Sequence, residues 1–211
     1  MSISELLAAS EALGQELAEA LPQGCYSATG QRDLASSVAC SLSLEHWASS
    51  TILLSQDSLP SAVVVHRAQF EAVVRSIWLL YAASDDEVRR LAADLSAQNE
   101  QGAKNIAGLQ DMISEIGKRG PMEAFAALTR FRDNALKPMN SYVHAGIHAL
   151  HRHANGYPTE LISGVLKNAN GVAVLAFMQS AALWRRNDLQ RVLLGIASKY
   201  SACLPPPPTN T

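Results

Sequence analysis

Apolar residues recur at helical spacing along almost all of this 211-residue chain, and the apolar–polar alternation typical of strands is scarce. Turn-forming segments separate the periodic stretches, among them Pro60, residues 117–121 and residues 155–158. This pattern predicts an all-α fold, a single-domain helical bundle of about six or seven helices over residues 1–204. The proline-rich residues 205–211 are predicted to form a disordered tail.

Four of the predicted helices bear on function. Residues 61–83 are apolar nearly all round, which predicts the central helix of the bundle. Residues 86–116 are more polar, so their helix is predicted to be the least buried. Residues 122–136 form a short predicted helix that ends before Pro138, because proline lacks the amide hydrogen a helix needs. The next predicted helix covers residues 139–153.

The charge balance excludes some classes of function. A formal net charge of −2 gives no general electrostatic attraction to nucleic acid or to an anionic membrane, although it permits a small local basic patch. Only 17% of the residues are charged while 48% are hydrophobic, which predicts that part of the helical surface is covered. A second copy of the chain is the simplest cover, so a homodimer is expected.

No segment is predicted to cross a membrane. Residues 62–83, the longest candidate, carry three charged side chains, and residues 171–184 are too short to span a bilayer. The odd number of cysteines matches no zinc or disulfide spacing, which predicts reduced thiols in a cytoplasmic protein. These are Cys25, Cys40 and Cys203. No phosphate-binding loop or dinucleotide motif occurs, so no cofactor is expected.

Three charged residues form a stripe on the central helix. Arg67, Glu71 and Arg75 are spaced four apart, so they share one face of an otherwise apolar helix. In one interpretation they pair with each other through fork-like hydrogen bonds and serve structure alone. In the other they line a cleft that faces the histidine-rich segment. Both interpretations predict low exposure for Glu71, and they differ in whether a cavity lies beside it.

Four of the six histidines fall within residues 138–153. In one continuous helix His144, His148 and His151 would lie within a narrow arc. Two of them could bind a metal if Glu71 or His66 supplied a third ligand. Alternatively His144 could transfer protons, since histidine titrates near neutral pH. The other histidines could also be exposed side chains without a task, and no metal site is assigned.

Asn140 and His144 carry a resemblance. The spacing Asn-x-x-x-His at the start of a late helix resembles the HEPN superfamily, whose signature is Arg-Asn-x-x-x-His. The longer string of residues 140–146, with Arg-x-x-x-Glu on an earlier apolar helix, resembles bacterial HEPN-related families of unknown function, relatives of abortive-infection and toxin-like proteins.

The resemblance implies chemistry on RNA without a metal. In active members the histidine assists proton transfer while the RNA 2′-hydroxyl attacks phosphorus, and the arginine holds the phosphate across a dimer cleft. By position the signature asparagine and histidine fall on Asn140 and His144, but the arginine falls on Met139, which cannot hold a phosphate. Either another cation substitutes, or the chain has lost the nuclease reaction. The candidate cations are Arg67, Arg75 and Arg152.

The sequence therefore predicts a bacterial HEPN-like homodimer in stress or phage defence. Its site would bind a nucleotide or an RNA phosphate, with His144 and Asn140 as the catalytic residues if RNA is cleaved. The binding residues would be Arg67, Glu71, Arg75, Ser141 and His148, and a cognate protein partner is expected in such a setting. The alternative is a non-catalytic helical dimerisation module. The first interpretation requires that Arg67 and Glu71 approach Asn140 and His144 in space.

Overall fold

The computed structural model describes residues 1–24, 26–103 and 106–207, which form helices and turns without a strand. The all-α prediction is confirmed, but these residues form ten helices rather than six or seven. This number counts α7 and α8 as one helix, because a π turn joins them without a break. The α-helical segments are α1 (Ile3–Glu19), α2 (Gln31–Ser55), α3 (Leu59–Tyr81), α4 (Asp85–Leu91), α5 (Ala97–Ala103), α6 (Leu109–Arg119), α7 (Met122–Phe131), α8 (Lys137–Val143), α9 (Ile147–Asn155), α10 (Thr159–Leu183) and α11 (Leu189–Lys199).

The predicted helix 86–116 is divided into α4, α5 and α6. It breaks because its apolar residues are too few to hold one long helix against the core. Only Val88 of α4 is buried, whereas α6 buries Met112, Ile113 and Ile116. Ser84 starts α4 with a capping box, and Gly108 occupies the N-cap of α6.

Pro138 does not end a helix. A π turn over Arg132–Leu136 joins α7 directly to α8, and Pro138 lies in the first turn of α8. A π turn shifts the pairing of amides and carbonyls by one residue, which accommodates a residue without an amide hydrogen. The side chain of Asn134 donates to the Arg130 carbonyl (2.9 Å) and satisfies it within this irregular region.

The central position of residues 61–83 is confirmed, because α3 packs against α2, α6, α8 and α10. Helix α2 runs antiparallel to α3 at close range, and small polar side chains join the two. The Ser36 hydroxyl donates to the Ser76 carbonyl (2.8 Å), and the Ser76 hydroxyl donates back to the Ser36 carbonyl (2.8 Å). Gln179 of α10 donates to the Ser36 hydroxyl (3.2 Å), so three helices meet at one buried polar contact.

A second buried polar cluster holds the two ends of the chain together. Asn170 of α10 is fully buried, and its amide nitrogen donates to the Ser10 hydroxyl (2.7 Å) and to the Cys203 carbonyl (2.9 Å). Its side-chain oxygen accepts from the Trp47 indole (2.9 Å). One side chain therefore connects α1, α2, α10 and the turn that follows α11.

Helix α10 is longer than the apolar run at residues 171–184. With 25 residues and an 18-residue window of mean hydropathy 1.5, it is long and apolar enough to cross a membrane by length and composition alone. Here α10 packs against α1, α2 and α3 and buries eleven of its residues. After α11, Pro205 lies against Gly171, while residues 208–211 of the predicted tail, like Cys25, lie outside the described residues.

Candidate functional site

The structure brings Arg67 and Asn140 together. Helix α8 packs against the N-terminal half of α3, and the Arg67 guanidinium donates through Nε to Asn140 Oδ1 (2.9 Å). Arg67 also forms an ion pair with Glu71, one turn further along α3. The Arg67 side chain is only 16% exposed, so both contacts are partly shielded from water. The predicted approach of Arg67 to Asn140 is therefore observed, and the guanidinium has two internal partners. Among the described residues, no hydrogen bond or ion pair joins Glu71 to Asn140 or His144.

Glu71 departs from the expectation of low exposure, because its side chain is 46% exposed. A carboxylate can remain in contact with water when only one of its oxygens is engaged by a neighbour. Beside it lies a half-open cleft of about 390 Å³, which Arg75 also lines. The cleft lies between α3, the end of α4 and residues 106–112 at the start of α6, and neither Asn140 nor His144 belongs to its walls.

The predicted continuous helix over residues 139–153 is wrong, because α8 ends at Val143. Ala145 adopts φ +49°, in the left-handed region. The Gly146 amide donates to the Ser141 carbonyl (2.6 Å) and the Ala145 amide to the Tyr142 carbonyl (3.4 Å), which together form a Schellman motif. A Cβ on Gly146 would lie 2.7 Å from Ser141 Oγ, so a larger residue there would displace the Ser141 hydroxyl.

This turn gives a test of local stability. Ala145→Gly is expected to raise the free energy of unfolding by about 0.5–1 kcal/mol, because glycine adopts a left-handed backbone without the Cβ clash. Urea denaturation followed by circular dichroism measures the change. Ala154→Gly, in the regular helix α9, is the control and is expected to lower stability by about 1 kcal/mol. Destabilisation by both substitutions would contradict the left-handed turn.

The turn also separates the predicted site residues. His144 lies at the C-terminal end of α8 and His148 in the first turn of α9, and both side chains are exposed. Ser141 has a structural contact, because its hydroxyl accepts from the His148 amide (3.0 Å) and so satisfies the start of α9. Met139, at the position of the HEPN arginine, is buried in the core.

The metal hypothesis required one continuous helix with its histidines on the same face, and this helix is not formed. His144, His148 and His151 no longer share one helical arc, since a turn divides them between α8 and α9. Within the ranges the structure describes, no three His, Cys, Asp or Glu side chains are grouped as metal ligands would be. His66, the other suggested ligand, is buried and engaged by α3 itself.

The buried hydrogen bonds around His66 were not predicted from the sequence. Its Nδ1 lies 2.7 Å from Gln69 Oε1, while Gln69 Nε2 donates to the Ala169 carbonyl (2.9 Å). Because the amide nitrogen of Gln69 faces that carbonyl, its oxygen must accept from His66, which places the imidazole hydrogen on Nδ1. Burial lowers the pKa of His66 to about 4, so the ring is neutral at physiological pH.

Comparison with known proteins gives one finding. Residues 40–206 match the family described as "Family of unknown function (DUF6988)", and the chain therefore belongs to that family. The match extends from within α2 to just after α11, so it includes both the Arg67–Asn140 contact and the cleft. No curated protein and no solved structure matches the chain. The resemblance to HEPN proteins stays a prediction.

Proposed function

We propose that this member of a family of unknown function is a non-catalytic helical module that forms a homodimer through the outer face of α2. The observation that carries the proposal is a row of exposed apolar side chains on that helix. Leu34, Val38 and Leu42 are 52%, 60% and 43% exposed, and their spacing of four places them on one face. Ile52 is 63% exposed and lies five turns from Leu34, so it continues the same row.

The lack of charge on α2 supports a partner that stays bound. From residue 34 to residue 56 the sequence contains one charged side chain, Glu45. A helix face that remains in water usually carries several charges. Depletion of charge around exposed aliphatic side chains is typical of the core of a homodimer interface. A twofold axis would place this neutral row on itself without requiring complementary charges.

The contacts of the motif residues support a non-catalytic role. Arg67 is occupied by Asn140 and Glu71, Ser141 holds the start of α9, and Met139 belongs to the core. Each of these contacts explains its residue by the packing of α3 on α8 and by the turn that follows. A phosphate held by Arg67 near His144 would compete with the Asn140 side chain and with the Glu71 carboxylate for the same guanidinium. Cytoplasmic location and a cognate partner stay predictions.

Analytical ultracentrifugation at micromolar protein concentration tests the proposal. The native chain is expected to sediment as a dimer, and Val38→Glu to weaken dimerisation about tenfold or more, because it places charge within an apolar contact. Val192→Glu is the matched control, since Val192 is 49% exposed but lies on α11. A native monomer, or an unaffected Val38→Glu dimer, would contradict the interface.

A separate experiment tests the proposed absence of ribonuclease activity. The proposal expects RNA to remain intact when it is incubated with the native protein in EDTA. Cleavage that disappears in His144→Ala would overturn the non-catalytic assignment and favour metal-independent nuclease chemistry instead.

A further inference from the structure

The cleft between α3 and α6 brings a charged side chain and several aliphatic side chains together. Its volume of about 390 Å³ falls within the range of about 300–1,000 Å³ that is usual for small-molecule sites. The floor is formed by Leu91, Ile106, Leu109 and Met112, and the charged wall by Glu71 and Arg75. We propose that this cleft binds a small organic anion whose apolar body lies on the floor and whose charged group pairs with Arg75.

Arg75 is available because Glu71, although it also lines the cleft, forms its ion pair with Arg67. In the stripe Arg67–Glu71–Arg75, the single carboxylate stands between two guanidinium groups, and it forms its ion pair with Arg67. Arg75 then has no ion pair to any described residue, and its side chain is exposed at the cleft. Arg67 and Glu71 cancel in charge, so the stripe has a net charge of about +1, located at Arg75. A ligand carboxylate or phosphate matches the fork of hydrogen-bond donors that a free guanidinium presents.

The start of α6 adds a second favourable group. Gly108 is the N-cap of this 11-residue helix and makes no side-chain cap, so the first amides of α6 are not satisfied by that residue. Gly108 also lines the cleft, and the Asp111 carboxylate lies beside it, 3.5 Å from the place a Cβ on Gly108 would take. Asp111 in the first turn partly compensates the helix dipole. The anion is therefore held mainly by Arg75, and the α6 amides support it.

The apolar floor restricts the ligand further. Leu91, Ile106, Leu109 and Met112 bring aliphatic side chains from α4, α6 and the segment before α6 to one side of the cleft. A purely inorganic anion would leave these side chains in water and gain nothing from them. A ligand with one ring or a short hydrocarbon chain covers them, and the half-open cleft has room for one such molecule.

Phenyl phosphate is the probe, with phenol and inorganic phosphate as its two halves. Calorimetric titration is expected to show saturable binding of phenyl phosphate. Phenol and inorganic phosphate are each expected to bind at least about tenfold more weakly than phenyl phosphate. In ¹H–¹⁵N NMR spectra, the amide signals of residues 106–112 are expected to shift. Absence of saturable binding, shifts confined to other regions, or equal affinity for phenol or inorganic phosphate would each overturn the proposal.

Substitution assigns the charged partner. Arg75→Gln is expected to lower the affinity for phenyl phosphate about tenfold or more while thermal unfolding stays unchanged, because the side chain is exposed and makes no internal ion pair. Arg191→Gln is the control, because Arg191 is also an exposed arginine but lies on α11. This variant is expected to bind phenyl phosphate like the native chain. Equal affinity of Arg75→Gln and the native protein would remove Arg75 from the site and refute the assignment. This test is independent of dimerisation through α2.

Discussion

Asn170→Ala is expected to lower the free energy of unfolding by about 3–5 kcal/mol. The substitution removes three hydrogen bonds at once, and it leaves the partly buried Trp47 indole and the Cys203 carbonyl without this partner. The Ser10 hydroxyl loses one bond but still donates to the Leu6 carbonyl. Each unpaired buried group costs about 1–3 kcal/mol, and neighbouring losses do not add fully. For a chain of this size, the melting temperature should fall by about 10 °C.

Differential scanning calorimetry and urea denaturation measure this loss. Asn168→Ala is the matched control, because Asn168 lies two residues earlier on α10, is partly exposed, and its side chain makes no hydrogen bond to a described residue. It is expected to change stability by no more than about 0.5 kcal/mol. If both substitutions have the same small effect, the cluster around Asn170 does not hold the four segments together.

The second large effect is a dependence of stability on pH that His66 causes. The pKa of this histidine is lowered to about 4 in the folded chain because the ring is buried, whereas an unfolded histidine has its ordinary value of about 6.5. Between these values the unfolded chain binds a proton that the folded chain does not. Stability is therefore complete above about pH 6.5 and falls as the pH drops toward 4, by about 3 kcal/mol in total.

His66→Gln isolates this contribution. Glutamine keeps a donor for Gln69 Oε1 but does not titrate, so the loss of unfolding free energy between about pH 7 and pH 4.5 should be about 2–3 kcal/mol smaller than in the native chain. Urea denaturation at the two pH values measures the difference. His144→Gln is the control, since His144 is exposed, and its pH dependence should match the native chain. An identical pH dependence in His66→Gln would show that folding does not lower the pKa of His66.

Much of the fold follows from local patterns in the sequence. The apolar residues of α3 predict its central position, and Ser84 with its following acids predicts the start of α4. The approach of Arg67 to Asn140 was also predictable, because a guanidinium on a largely buried helix needs a polar partner from a neighbour. These features depend on residue type and spacing alone.

The features that the sequence did not predict depend on tertiary contacts. Ala145 gives no local sign of a left-handed turn, since alanine favours helix. The chain turns where α8, which packs on α3, gives way to α9, which buries none of its residues. Pro138 signals a break, but the π turn before it absorbs the missing amide hydrogen. Whether Arg75 is free at the cleft depends on which arginine forms the ion pair with Glu71. Arg67 and Arg75 both lie four residues from Glu71, so the spacing permits either pair.

The cluster around Asn170 has a consequence for how the chain is made. Ser10 and Asn170 are 160 residues apart, and Cys203 lies 33 residues beyond Asn170. On a ribosome, α1 therefore emerges long before the segments against which its leucines pack. Until then only α2 offers its apolar side a native partner, through the Trp47 ring against Gly14, and contacts between such distant residues form slowly. Closure of the N-terminal helix is thus expected to be among the last steps, completed only after the C-terminal turn has left the exit tunnel.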